Sequence, residues 1–212
     1  MDKPYAIFDM DGTLTDSMHF WRDLGRDYLL QKGVHPDEKL LWMVQTMTLD
    51  QTARHFMDCF GLPGPEETIV AEMNHIMEGH YRSDVPLKPG VAAYLERLAA
   101  RGTRMCVATA TAAPLARACL ERLGVAEYFA AILSCEDIGQ SKEEPDLYLL
   151  AARQLGGEPA ETAVFEDALY AARTAKQAGF YTVGVYDPCG AGSWETLAAL
   201  AHETITDWRN VP

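Results

Sequence analysis

The sequence predicts an open α/β fold, a doubly wound parallel sheet, with a small all-helical domain inserted after its first strand. From residue 83 onward, short apolar or β-branched runs alternate with helical patterns of about ten residues, as in parallel sheets covered by helices on both faces. Between 16 and 82 every pattern has the helical period. One apolar run, Tyr5-Ala6-Ile7-Phe8, stands ahead of that helical stretch and supplies the first strand.

The elements follow in order. Asp9-Met10-Asp11-Gly12 ends the first strand, and Gly12 lets the chain leave in a tight turn. Helices are predicted over 18–31, 37–46, 49–60 and 66–81, punctuated by Gly33, Asp50 and Gly61-Leu62-Pro63-Gly64. After Leu87-Lys88-Pro89-Gly90 come helix 91–101, strand 104–109, helix 112–123, strand 131–134 and helix 146–155. Strand 163–166, helix 168–178, strand 181–185, helix 193–201 and a short strand at 203–206 complete the pattern. Residues 1–15 and 83–212 thus form the α/β core and 16–82 the helical domain, with no internal repeat or low-complexity tract.

Composition narrows the function classes. With 212 residues, 48% of them apolar, the chain can bury one sizeable core and a smaller unit. The 18 Lys and Arg against 31 Asp and Glu give a formal net charge of −13, which argues against a nucleic-acid or anionic-membrane surface. An anionic ligand then needs local compensation by a metal, a lysine or backbone N–H groups. The five cysteines form no C-x-x-C pair and several lie in apolar segments, so buried, reduced thiols and a cytoplasmic location are expected. No signal-peptide pattern precedes the first strand, and no run approaches the roughly 20 apolar residues of a membrane span. A monomer or weak homodimer is expected.

Four segments at predicted strand ends carry the chemistry, because ligands of open α/β sheets bind beyond the carboxyl ends of the strands. Asp9 and Asp11 are two carboxylates two positions apart; such a pair points to a hard cation, an acid/base role or both, or else to an Asx-rich turn. Thr109 and the N–H of Ala110, in Val107-Ala108-Thr109-Ala110-Thr111, form either a phosphate cradle at a helix start or a plain N-cap. Lys142, in a loop ahead of a helix, either neutralises a phosphoryl group and holds a carboxylate or is simply solvated. Glu166 and Asp167 end an apolar strand and either complete an oxygen-rich cage for Mg²⁺ with Asp9 and Asp11 or open a helix with acids in its first turn.

Taken together in this order, the four segments resemble the motifs of the haloacid dehalogenase superfamily, in particular the phosphatases and phosphomutases with an inserted helical cap. The resemblance spans essentially the whole chain: D-x-D-G-T-L matches Asp9 to Leu14, the strand-end Thr matches Thr109, the Lys before Pro-Asp matches Lys142, and the Glu-Asp pair matches Glu166-Asp167. It implies a Rossmann-like core and a Mg²⁺-dependent enzyme acting on a small phosphorylated metabolite. In that reading Asp9 attacks phosphorus to form an aspartyl phosphate, and Asp11 first protonates the leaving oxygen and then activates water. Mg²⁺ would be held by Asp9, the Asp11 carbonyl and Asp167, with Glu166 bound directly or through water. Thr109, Ala110 N–H and Lys142 would surround the phosphoryl oxygens.

Asp11 further separates phosphoryl transfer from dehalogenation, since the superfamily's dehalogenases lack the second aspartate. Enzymes resembling β-phosphoglucomutase carry a His where this chain has Trp21, a basic cap stretch where it has Val44 to Leu49, and a Lys near Ala112 and Ala113. The cations that would hold a second phosphate are missing, so a phosphatase of a sugar phosphate or phosphoglycolate-like ester is expected, with a sugar phosphomutase as the alternative and an idle binding protein as a remoter one. Two departures from the family pattern, Ala168 after the Glu-Asp pair and Glu143 after Lys142, remove no essential group. Substrate choice is expected from cap residues His19, Phe20, Trp21 and Arg22, with Gln45 or Thr46, although an aromatic at helical spacing is more often core. Asp16-Ser17 is expected to cap the first cap helix and act as a hinge.

Overall fold

The computed structural model describes residues 2–44 and 47–211; Gln45 and Thr46, two of the expected cap contacts, lie outside the described residues. The elements run β1 (Tyr5–Phe8), α1 (Met18–Gln31), α2 (Glu38–Val44), α3 (Leu49–Phe60), α4 (Glu66–Ser83), α5 (Val91–Ala100), β2 (Arg104–Thr109), α6 (Ala113–Arg122) and β3 (Phe129–Ser134). They continue with α7 (Cys135–Ile138), α8 (Asp146–Leu155), β4 (Thr162–Glu166), α9 (Leu169–Gln177), β5 (Tyr181–Val185), α10 (Trp194–Leu200) and β6 (Glu203–Ile205). The chain divides into two compact units, Met1–Ser17 with Val85–Pro212, and Met18–Asp84.

In the larger unit all six strands are parallel, in the order β3-β2-β1-β4-β5-β6. The order reverses beside β1: β2 and β3 extend to one side, and β4 to β6 to the other. That reversal is where open parallel sheets leave a crevice between diverging connections. Register places Phe8 level with Val107 of β2 and Phe165 of β4, so the residues after β1 and the last residues of β2 and β4 share one rim.

Alternation of side chains splits the strands between two cores. On one face Ile7, Cys106 and Val164 pack with Leu147, Tyr148, Ala151 and Leu155 of α8 and with Phe180. On the other, Phe8 stacks on Phe165 at 4.3 Å between ring centroids, and Trp208 lies 5.8 Å from Phe165 and 5.0 Å from Tyr94. Trp208 belongs to a closing 3-10 turn, Trp208–Asn210, that sequence periodicity does not reveal. Gly90, at φ +97°, is required where it stands: a Cβ there would lie 2.6 Å from the backbone N of Arg209.

The smaller unit contains α1 to α4. α3 is framed by a capping box, with Gln51 N–H donating to Thr48 Oγ1 at 3.2 Å and Thr48 N–H to Gln51 Oε1 at 3.0 Å, and by left-handed Gly61 at its C-terminus. Tyr28 of α1 donates to Glu72 of α4 at 2.9 Å, above a core that includes Leu24, Phe56, Ile69 and Met73.

Element types follow the sequence pattern, with differences at the ends. β3 starts at Phe129, two residues before the expected 131, because a bulge between Met105 and Cys106 lets it pair earlier. The turn α7 is an unpredicted helix, nucleated by a capping box of Ser134 and Asp137. The cysteines depart from the expectation of burial: all five are free thiols, but only Cys106 and Cys119 are buried, while Cys59 and Cys189 are exposed. Among the described residues no helix is long and apolar enough to cross a membrane.

Trp208 is 3% exposed and bridges the aromatic cluster. Trp208→Ala is expected to lower stability by about 3–5 kcal/mol, read from the midpoint shift in urea unfolding.

Candidate active site

The rim beyond β1, β2 and β4 gathers the residues that the sequence singles out in the larger unit. Asp9 follows β1, is 5% exposed and is anchored by its N–H donating to Phe165 O at 3.0 Å. Glu166, the last residue of β4, is 1% exposed, and Asp167 follows it half-buried. Lys142 reaches the same point from the loop before α8. It is not a solvated loop lysine: at 3% exposure its ammonium donates to Asp9 Oδ1 and, at 2.7 Å, to Glu166 Oε1. Tyr148 Oη, from the first turn of α8, donates to that same Glu166 oxygen at 2.6 Å.

The loop after β1 is held by its own backbone. Leu14 and Thr15 N–H both donate to Met10 O at 2.9 Å, and Gly12, at φ +82°, makes the turn. Trp208 Nε1 donates to Thr13 O at 3.2 Å from the far end of the chain, and Thr13 Oγ1 lies 3.4 Å from Asp167 Oδ1. Asp11 accepts hydroxyl hydrogen bonds on both oxygens, from Ser17 Oγ and Thr111 Oγ1, each at 2.7 Å. Ser17 stands directly before α1, and its hydroxyl, besides donating to Asp11, lies 3.1 Å from Thr15 Oγ1. Thr109 ends β2 fully buried, its Oγ1 accepting from Thr111 N–H at 3.0 Å, and Ala110 beside it is exposed.

The electrostatics of this rim are one-sided. Oxygens of Asp9, Glu166 and Asp167 all lie within 4.8 Å of one another, and Lys142 is the cation paired with two of them. Burial by itself would depress the lysine, yet Asp9 and Glu166 outweigh it and hold the ammonium charged, above the ordinary lysine range. One ammonium does not neutralise three carboxylates. Burial pushes Glu166 from an ordinary 4.5 up to about 7, with Lys142 opposing and Asp9 reinforcing the rise. Burial, then Asp9, Glu166 and Asp187, lift Asp167 well above the carboxylate range. Asp187, just beyond β5, is itself paired with buried Lys88 at 2.9 Å.

Two buried oxygens, Asp9 Oδ2 and Glu166 Oε2, accept no hydrogen bond among the described residues. Such orphaned acceptors are costly unless something else satisfies them. Clustered hard oxygens, an excess of negative charge and two open acceptors fit a divalent cation of the oxygen-seeking kind.

His19, Trp21 and Arg22, expected as substrate contacts, lie on α1 in the smaller unit. There Trp21 Nε1 donates to Tyr81 Oη at 2.9 Å, Arg22 Nε to Asp23 Oδ1 at 3.0 Å, and the His19 ring lies 4.0 Å from that of Phe20. Residue spacing did not single out Ser17 and Thr111 as partners of Asp11, or Tyr148 as a partner of Glu166. Thr111 does stand in the strand-end run that marks Thr109, and this is the one signal that could have pointed to it.

A family model described as haloacid dehalogenase-like hydrolase matches residues 5–179. Hexitol phosphatase A of Escherichia coli (strain K12) is 30% identical over 94% of this chain and 92% of its own length. Fructose-1-phosphate phosphatase YqaB of the same strain is 28% identical over 87% of this chain and 98% of its own. Among solved structures, CbbY from Rhodobacter sphaeroides in complex with phosphate superposes with a TM-score of 0.76 at 23% identity, covering 99% of this chain and 96% of that one, which is a likeness of fold.

The raised Glu166 sets a sign for pH. A carboxyl shifted from 4.5 to about 7 contributes stability to the cation-free protein below the lower value and loses it as pH rises through the upper one. A cation competes with those protons, so the gain in melting temperature from a divalent cation over chelator should be small below 4.5 and grow until pH exceeds about 7.

Proposed function

The chain belongs to the haloacid dehalogenase-like hydrolase family and is a phosphoric monoester hydrolase, and on that premise we propose that it is a Mg²⁺-dependent phosphatase of small sugar-type phosphates working through an aspartyl-phosphate intermediate. The observation that carries the reading is the rim where Asp9 and Glu166 share Lys142 yet each keeps a buried, unpartnered oxygen. The site is built to receive a cation and an anion together. The relatives named for hexitol and fructose-1-phosphate support a sugar phosphate as the substrate class.

In this reading Asp9 is the nucleophile: its carboxylate oxygen forms the bond to phosphorus as the bond from phosphorus to the leaving oxygen breaks, splitting the hydrolysis into two displacements. Lys142 aims that carboxylate and presents its remaining N–H to a phosphoryl oxygen. The Thr109 hydroxyl and Ala110 N–H bind the other phosphoryl oxygens, where positioning and charge stabilisation supply most of the acceleration. Asp11 gives its proton to the leaving oxygen and then takes one from the water that attacks the aspartyl phosphate. Ser17 and Thr111 suit that alternation, because a hydroxyl can turn from donor to acceptor as the carboxyl gains and loses its proton. Mg²⁺, held by Asp9, Glu166 and Asp167 with the Asp11 carbonyl, would supply the positive charge that lets an anionic nucleophile approach an anionic phosphate.

Phosphatase rather than mutase is supported by Trp21 in place of a cap histidine and by Ala112 and Ala113 in place of a lysine after β2. Neither can hold the second phosphate that a mutase must retain.

The test is phosphate release from hexitol phosphates, fructose 1-phosphate, phosphoglycolate and nucleotides, with Mg²⁺ and with chelator. Release should require Mg²⁺, favour the sugar-type esters, vanish in Asp9→Asn and fall by about 10²–10⁴ in Asp11→Asn. Folded protein that releases phosphate from none of them, or that does so unchanged with Asp9→Asn, would sink the reading.

A further inference from the structure

We propose that Tyr148 is a positioning residue of this site, which selects the oxygen of Glu166 that faces the cation; the inference rests on the reading of the acid cluster as a cation site. The terminal torsion of a glutamate is broad and roughly two-fold, so nothing intrinsic to the side chain decides which oxygen points where. At Glu166 the choice is made from outside. Lys142 Nζ at 2.7 Å and Tyr148 Oη at 2.6 Å both donate to Oε1, which leaves Oε2 buried and without a hydrogen bond among the described residues.

Tyr148 is fully buried on α8, with its ring edge-on to Phe180 at 6.1 Å, so its hydroxyl has little freedom to be elsewhere. The Lys142 ammonium also stands over the Tyr148 ring, 5.9 Å from its centroid. One side chain thus braces both members of the Lys142–Glu166 pair: the hydroxyl fixes the carboxylate and the ring face supports the ammonium. Groups that orient a metal ligand in this way commonly change metal affinity by about 10–100-fold when removed. With the hydroxyl gone, Oε1 keeps a single donor and the carboxylate is free to turn Oε2 away.

Tyr148→Phe keeps the ring, and with it the support of Lys142, and deletes only the hydroxyl. Titration calorimetry with Mg²⁺ should show binding to Tyr148→Phe weakened by about 10–100-fold, and phosphate release by the variant should recover toward the wild-type rate when Mg²⁺ is saturating. Phe180→Leu serves as the packing control: it trims the ring against Tyr148 but leaves both donors to Glu166 Oε1 in place, and should lower melting temperature while weakening Mg²⁺ binding much less than Tyr148→Phe does. Wild-type affinity in a folded Tyr148→Phe would overturn the proposal alone, as would an equal loss of affinity in Phe180→Leu. Absence of Mg²⁺ binding in the wild-type protein would overturn the cation-site reading and the proposal with it.

Discussion

A single buried ammonium among three carboxylates is the constraint around which this molecule is organised. Asp9, Glu166 and Asp167 sit on adjacent strand ends because β1 and β4 are paired in register, and they would repel one another without Lys142 between the first two. The compensation is incomplete. An arrangement tuned only for folding would pair its charges or replace them with apolar groups, since buried charges left uncompensated cost several kcal/mol. In the function proposed, the incomplete pairing and the two orphaned oxygens are where stability is given up for binding.

The rest of the larger unit keeps that rim rigid. Phe8 and Phe165, the residues just before Asp9 and Glu166, stack face to face beneath them, so the two acids rise from one packed layer. Trp208 closes the layer and donates to the loop carrying Asp11, tying the last turn of the chain to the first loop. On the opposite face Tyr148 and Phe180 pack under Lys142 and Glu166. The chemistry proposed for the rim needs small displacements and fixed directions, and close-packed aromatic layers on both faces provide them.

Much of this was legible along the chain because it is encoded locally. Short apolar or β-branched runs place the strands and period-3.6 patterns the helices, and their alternation implies a parallel sheet whose carboxyl ends share a rim. The acids at Asp9, Asp11, Glu166 and Asp167 and the hydroxyl at Thr109 could be marked because each stands at, or within three residues after, the end of an apolar run. Less legible were the bulge that lengthens β3 and the turn holding Trp208, which depend on a partner far away, and the helix α7, which at four residues is too short to show a period. None of these has a period to read, since each is set by one or two hydrogen bonds or by packing against a neighbour.

Local pattern therefore decided the order and type of the elements and the identity of the acidic strand ends, because apolar runs, the helix period and turn residues act over a few positions. Only the tertiary structure decided that Lys142 is buried between Asp9 and Glu166, that Thr111 and Ser17 hold the two oxygens of Asp11, and that Tyr148 leaves one oxygen of Glu166 open. The contacts of Lys142 with Asp9 and of Thr111 with Asp11 join residues 133 and 100 positions apart. A hydrogen bond across such a span exists only once the sheet has brought its strand ends together, so no stretch of sequence contains it.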